Sequence, residues 1–222
     1  MCAIAKQTRD CFVDDVPVTA AGRSCGAADR FAGLSRAQAA IKFASARHAN
    51  QYPQTDHARF IAHSIEVGWL LRCDGQPDDV IAAGLLHDVL EKTPTTRTEL
   101  RRRFGARIAG LVESVSDDPS IDDYESRKRE LRDRVARGDA DTWEIFAADK
   151  ISKVRELAQL PPRRLRATEN RAKLTHYRAS LNMLRHVAGD LALVDSLDTE
   201  LNRLVARERP GTQAGHHKER QP

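Results

Sequence analysis

His87 and Asp88 stand side by side in AAGLLHDVLEKT, residues 82–93, with Glu91 four residues after the histidine. The segment is apolar at Ile81, Leu85 and Leu86, so polar groups at the end of what reads as a core helix need a reason. Helical spacing puts His87 and Glu91 on one face, with Asp88 one residue round. An imidazole and a carboxylate from one helix supply two metal ligands, and two more must then come from elsewhere. His63, among Ile61, Ile65 and Val67, is one candidate, and Asp149, inside the apolar run IFAADKISKVREL at 145–157, is the other. A buried, unpaired carboxylate costs several kcal/mol, so Asp149 demands a cation or a strong donor. Two histidines and two aspartates make a hard nitrogen and oxygen set suited to one manganese or iron ion, with magnesium compatible and zinc less natural. Each residue also has a plainer reading. His63 could be a satisfied core histidine, and Asp149 could pair with Lys150, Lys153 or Arg155. The joint pattern carries more weight than any member.

These residues are placed by helices. Ala, Leu, Arg and Glu dominate, apolar positions recur at three and four, and no run of alternating β-branched residues reads as a strand. The pattern predicts helices Arg36–Asn50, His57–Cys73, Asp78–Lys92, Thr96–Phe104, Arg107–Val115, Asp122–Arg137, Asp141–Leu160, Leu165–Ala188 and Ala192–Ala206. Their breaks carry AspGly at 74–75, Pro77, Pro94, Gly105, Pro119, Gly138 and ProPro at 161–162. The fold class expected is all-α: a compact multi-helix single domain over 35–208, between a flexible N-terminal arm at 1–34 and a disordered C-terminal tail at 209–222. His216 and His217 fall in that tail, where nothing preorganises a metal site.

The 222 residues carry 36 basic against 32 acidic side chains, and the excess of four is too small to name a partner. It hides segregation, because Arg97, Arg101, Arg102, Arg103 and Arg107 precede an acidic stretch from Glu113 to Glu125. Most of these read as solvated helix faces. No apolar run approaches the roughly 18 residues of a membrane span. The start shows no secretory pattern, and the four cysteines, Cys2, Cys11, Cys25 and Cys73, form no Cys-x-x-Cys pair. A cytoplasmic protein without disulfides is expected. No helix-turn-helix or aromatic platform supports nucleic-acid binding. Homo-oligomer formation stays open.

His63, the His87-Asp88 pair with Glu91 and Thr93, and ADKISKVREL around Asp149 together resemble the HD-domain metal-dependent phosphohydrolases. Within them the sequence is most similar to the guanosine tetraphosphate hydrolase domain of the RelA/SpoT homologues, especially the small alarmone hydrolases. ARHANQ at 46–51, FGARI at 104–108, LVESVSDD at 111–118 and KLTHYRASLNML at 173–184 extend the likeness over about 36–208. The resemblance implies an HD-domain fold, a metal site of His63, His87, Asp88 and Asp149, usually holding Mn2+, and Glu91 serving the attacking water. It places His48, Arg59, Lys153 and Arg155 at substrate-binding positions, for a guanosine nucleotide or a related phosphorylated nucleotide. Three departures stand out. Lys92 occupies the place of the acid that follows the family's glutamate. Lys153 occupies the place of an asparagine. The loop at 52–60 has Phe60 for a tyrosine and keeps only Arg59 and His57 as basic residues.

The resemblance implies removal of the 3′-pyrophosphate of (p)ppGpp, giving GDP or GTP and pyrophosphate. Two alternatives are an HD phosphohydrolase for another phosphorylated nucleotide, and a catalytically weak nucleotide-sensing or binding module. Lys92 is the best support for the last.

Overall fold

The computed structural model describes residues 29–48 and 54–208, with side chains described over 30–48 and 61–207. A 3-10 turn, Asp29–Phe31, leads into α1 (Ser35–His48), α2 (Gln54–Cys73), α3 (Asp78–Leu86), the short α4 (Val89–Lys92), α5 (Arg97–Val115), α6 (Tyr124–Ala136), α7 (Ala140–Ala158), the short α8 (Pro162–Leu165), α9 (Thr168–Ala188) and α10 (Ala192–Glu208). Among the described residues there is no strand, as the composition predicts. No helix among them is long and apolar enough to cross a membrane.

Helix starts follow capping chemistry. Asp123 and Asp139 accept the amides of Ser126 and Thr142, and Thr96 accepts that of Glu99. The start of α1 is capped from another helix, the Asp78 carboxylate taking the amides of Arg36 and Ala37 at 2.9 and 2.8 Å. Gly105, at φ +86°, kinks α5 where two helices were expected.

Helix α7 lies in the middle, packed by α2, α3, α5, α6, α9 and α10. Ile145, Phe146, Ala147, Ala148, Ile151 and Val154 are all wholly buried on it. A helix buried on most sides leaves little solvated face for charges, so each buried ionisable group on it must find a partner or stay neutral.

Some expectations need correction. Phe31 is wholly buried, so the stretch expected as a flexible arm already contributes to the core by that residue. The expected tail at 209–222, with His216 and His217, and the arm before residue 29 lie outside the described residues. Helix α2 begins at Gln54 rather than His57, which puts Arg59 on its first turns, although the side chains of 54–60 are not described. The expected Leu165–Ala188 helix divides into α8 and α9. The expected Asp78–Lys92 helix also divides, at His87 and Asp88, and this break shapes the site.

Candidate metal centre

Helices α2 and α3 approach closely because glycines face each other's side chains. A Cβ at Gly84 would meet Leu71 Cδ1 at 2.3 Å, and one at Gly68 would meet Leu85 Cγ at 2.7 Å. This approach sets His63, on α2, against His87, at the end of α3. The two rings lie edge to face with centroids 4.9 Å apart.

The helix stops at His87 because the Gly84 carbonyl is used twice by that residue, by its backbone amide at 3.5 Å and by its ring Nδ1 at 2.7 Å. A side chain that bonds the local backbone competes with the helical ladder. Asp88 then adopts φ −89°, ψ −7°, between helix and extended backbone. In a straight helix the neighbours would point about 100° apart. Across this break the His87 Nε2 and Asp88 Oδ1 come within 3.5 Å.

Asp149 completes the group from α7. Its Oδ1 lies 3.2 Å from His63 Nε2 and 3.4 Å from His87 Nε2, and the two Nε2 atoms are 3.0 Å apart. Asp88 Oδ2 lies 3.9 Å from His63 Nε2. All four residues are buried. The structure thus brings His63, His87 and Asp149 together as one group of possible ligand atoms, with Asp88 beside them through its contacts to both histidines.

The donor set fits a divalent cation. His87 Nδ1 faces a carbonyl, which only accepts, so the proton sits there and Nε2 offers a lone pair. His63 Nδ1 faces Ser152 Oγ at 2.9 Å, and that hydroxyl gives its only proton to Glu66 Oε2 at 2.6 Å. Nδ1 of His63 must therefore donate as well, leaving a second lone pair on its Nε2. Two nitrogen lone pairs and carboxylate oxygens converging at 3.0–3.9 Å repel one another unless positive charge lies among them. Ligands about 2.1 Å from one ion and at right angles stand about 3 Å apart, the spacing these atoms have.

The two carboxyl groups are held in the ionised form that a cation needs. Burial works against the charged form of Asp88, but His87, Lys153 and His63 outweigh it and hold the carboxyl well below its usual range. Asp149 is held low in the same way, against burial, by Lys150, Lys153 and the two histidines. Burial would lower His87, and Asp88 and Asp149 more than reverse it, so the two carboxylates favour a proton on this imidazole that a bound cation must displace. Lys153 Nζ is 2.8 Å from Asp149 Oδ1, and this carboxylate, with Asp88, keeps the ammonium charged despite burial. Lys150 binds the other oxygen of Asp149 and lies 4.1 Å from the centre of the Phe146 ring.

The rim is looser. Glu91 Oε1 accepts the Asp117 amide at 2.7 Å, which ties α4 to the loop after α5, while Oε2 is 4.0 Å from Lys92 Nζ. Asp117 in turn binds Lys128 at 2.6 Å. The Lys92 side chain is 41% exposed and makes no closer ion pair among the described residues, so its ammonium has room to reach a bound anion.

The expected substrate residues fare differently. Lys153 stands at the metal group. His48 is wholly buried at the end of α1. Arg155 is held by Glu66 at 3.0 Å and Glu200 at 2.9 Å, so two carboxylates take the place expected for a phosphate. Arg59 has no described side chain. Sequence reasoning missed Ser152 and Glu66. A signal was present, since each lies three residues after a ligand, Asp149 and His63, and so on the same helical face.

Comparison with known proteins adds the following. A family model described as HD domain matches residues 40–178. Guanosine-3′,5′-bis(diphosphate) 3′-pyrophosphohydrolase MESH1 of Danio rerio is 34% identical over 125 residues, 55% of this chain and 69% of that protein. Guanosine-3′,5′-bis(diphosphate) 3′-pyrophosphohydrolase of Aquifex aeolicus is 33% identical over 123 residues, 54% of this chain but 17% of that one. A solved structure of a metazoan ortholog of SpoT that hydrolyzes ppGpp superposes with a TM-score of 0.62 at 22% identity, covering 78% of this chain and 95% of the other, which shows a shared fold.

Proposed function

The chain belongs to the HD-domain family, and from that premise we propose that it is a metal-dependent guanosine-3′,5′-bis(diphosphate) 3′-pyrophosphohydrolase that yields GDP or GTP and pyrophosphate. The observation that carries this reading is the convergence of His63 Nε2, His87 Nε2 and Asp149 Oδ1, with Asp88 beside them, on a point where both histidines present lone pairs. His63, His87, Asp88 and Asp149 hold one divalent ion, for which Mn2+ is the best match to two imidazoles and two carboxylates. The ion supplies Lewis acidity at the phosphorus and a water acidified toward a pKa of about 7.

The side chains do the rest. Glu91, fixed through one oxygen by the Asp117 amide, offers the other to take the proton of the attacking water. Lys153, charged and 28% exposed at the edge of the cluster, attracts the pyrophosphate and opposes the charge that develops on it. Lys92 extends the same positive field at the rim, while for His48 and Arg59 the substrate-binding role rests on the family resemblance alone. The α7 burial that excludes water behind Asp149 strengthens these interactions. We place the enzyme in the cytoplasm, acting on a free nucleotide and not on nucleic acid or membrane.

The test is hydrolysis of a nucleotide panel with added Mn2+. Pyrophosphate release from ppGpp is expected, and release only from other nucleotides would move the substrate assignment. Saturable binding without turnover would favour the weak-sensor reading, which the lysine beside Glu91 makes specific. Lys92→Asp discriminates further. A rise in the rate of several-fold means that the ammonium depresses a water-activating carboxylate, whereas a fall means that it holds phosphate.

A further inference from the structure

Three members of the metal group are braced, but not by the same kind of partner. His87 leans on a backbone carbonyl that no side-chain substitution removes. Asp149 is braced by its neighbour Lys150. His63 depends on two side chains contributed by different helices, Ser152 of α7 and Glu66 of α2 itself.

The direction of that relay is fixed by counting protons. An ionised carboxylate only accepts, so the Ser152 hydroxyl proton points to Glu66 at 2.6 Å. The remaining lone pairs of Ser152 Oγ can serve His63 only as acceptors, which places the imidazole proton on Nδ1, 2.9 Å away. Ser152 has no exposure, so water does not compete for either bond. Glu66 is held in turn at 3.0 Å by Arg155, whose Nη2 is 2.9 Å from Glu200 on α10. A metal-bound histidine whose other nitrogen donates to a carboxylate-backed acceptor is oriented, fixed in one tautomer and made more electron-rich.

Resting on the reading that His63 ligates the ion, we propose that Ser152 and Glu66 are positioning residues for that ligand, and that Arg155 and Glu200 hold Glu66 in register, tying α10 to the metal centre. Arg155 thereby has a role in the site without touching substrate.

The experiment is Mn2+ titration, followed by the electron paramagnetic resonance of the free ion, on the full chain and on three variants. Ser152→Ala deletes the relay and leaves the Glu66–Arg155–Glu200 ion pairs in place, so affinity should fall about 10- to 100-fold in a protein that still folds, with a metal-free thermal midpoint lowered only as one unpaired buried Nδ1–H requires. Ser152→Thr restores the hydroxyl and should recover affinity to within a few-fold, a rescue that a purely packing role for the serine would not give. Glu66→Gln leaves only a neutral acceptor for Ser152 and should show a smaller loss than Ser152→Ala. Unchanged Mn2+ affinity in Ser152→Ala overturns the proposal. An absence of Mn2+ binding by the parent protein instead overturns the metal reading on which it rests. If Ser152→Ala does not fold, nitrogen-15 histidine spectra of the metal-free parent at pH 8 decide: a His63 proton on Nδ1 supports the relay, and one on Nε2 refutes it.

Discussion

Helix α7 buries two carboxyl groups little more than a turn apart, and the protein keeps them in opposite states. Asp149 is 5% exposed and Glu144 is 4% exposed, so burial alone does not separate them. Company does. Asp149 has Lys150 and Lys153 on its oxygens and two histidines within 3.4 Å, and it stays ionised. Glu144 Oε2 has no hydrogen-bond partner among the described residues, and Asp74, Asp141 and Asp190 add their repulsion to burial, so its carboxyl is pushed up to about 8. Burial is therefore a poor mark of a site. What marks one is a buried charge with an organised excess of partners.

The largest effect should come from breaking the well-partnered end. Asp149→Asn keeps the shape but removes the charge that balances Lys150, which is only 3% exposed. Loss of one member of a buried pair costs about 3–5 kcal/mol, because the other is left uncompensated. Urea unfolding of the metal-free variant should show that loss. Mn2+ affinity should fall by at least roughly 100-fold, since a ligand has gone as well as a charge. A variant that kept the affinity of the parent would remove Asp149 from the ligand set and erase the contrast with Glu144.

A smaller loss follows from disturbing how Asp149 acquires its histidines. Gly84→Ala puts a methyl group 2.3 Å from Leu71 Cδ1 and 3.3 Å from Val67 Cγ1, so α2 must shift or Leu71 must leave its position. Overpacking of this kind costs about 1–3 kcal/mol. Since His63 rides on α2, Mn2+ binding should weaken with it, and a stability loss without any change in binding would show that the helix approach does not set the ligand geometry.

The sequence reveals the proposed ligands more readily than their supports. His63, His87, Asp88 and Asp149 are legible because polar groups interrupt apolar helical runs, and the all-α class is legible from composition and period. The break at His87 is not, because it depends on an imidazole capturing the Gly84 carbonyl, a choice that helical spacing does not encode. Arg155 is misleading for a related reason. The resemblance implies a substrate-binding cation there, but the carboxylate partners of Arg155 lie on α2 and α10, and Glu66 is 89 positions away. Glu144 passes unnoticed as one more acid near a helix start, although the same argument that flags Asp149 applies to it.

The mildest test asks whether Glu144 is the liability that the comparison makes it. Its unfolded carboxyl titrates near 4.5 and its folded one near 8, so between these values the native state holds a proton that the unfolded chain has released. Stability then falls as pH rises through that window and levels off above it, because the slope follows the excess of protons bound by the unfolded state, here negative. Glu144→Gln keeps the volume and removes the titration. Thermal midpoints of variant and parent should coincide near pH 4, diverge in favour of the variant as pH rises toward 8, and stay apart by a constant amount above that. An equal shift at all pH values would mean that packing, not ionisation, distinguishes the glutamine. A variant less stable than the parent at pH 8 would mean that Glu144 is charged and partnered after all, which would make the two buried carboxyl groups of α7 alike.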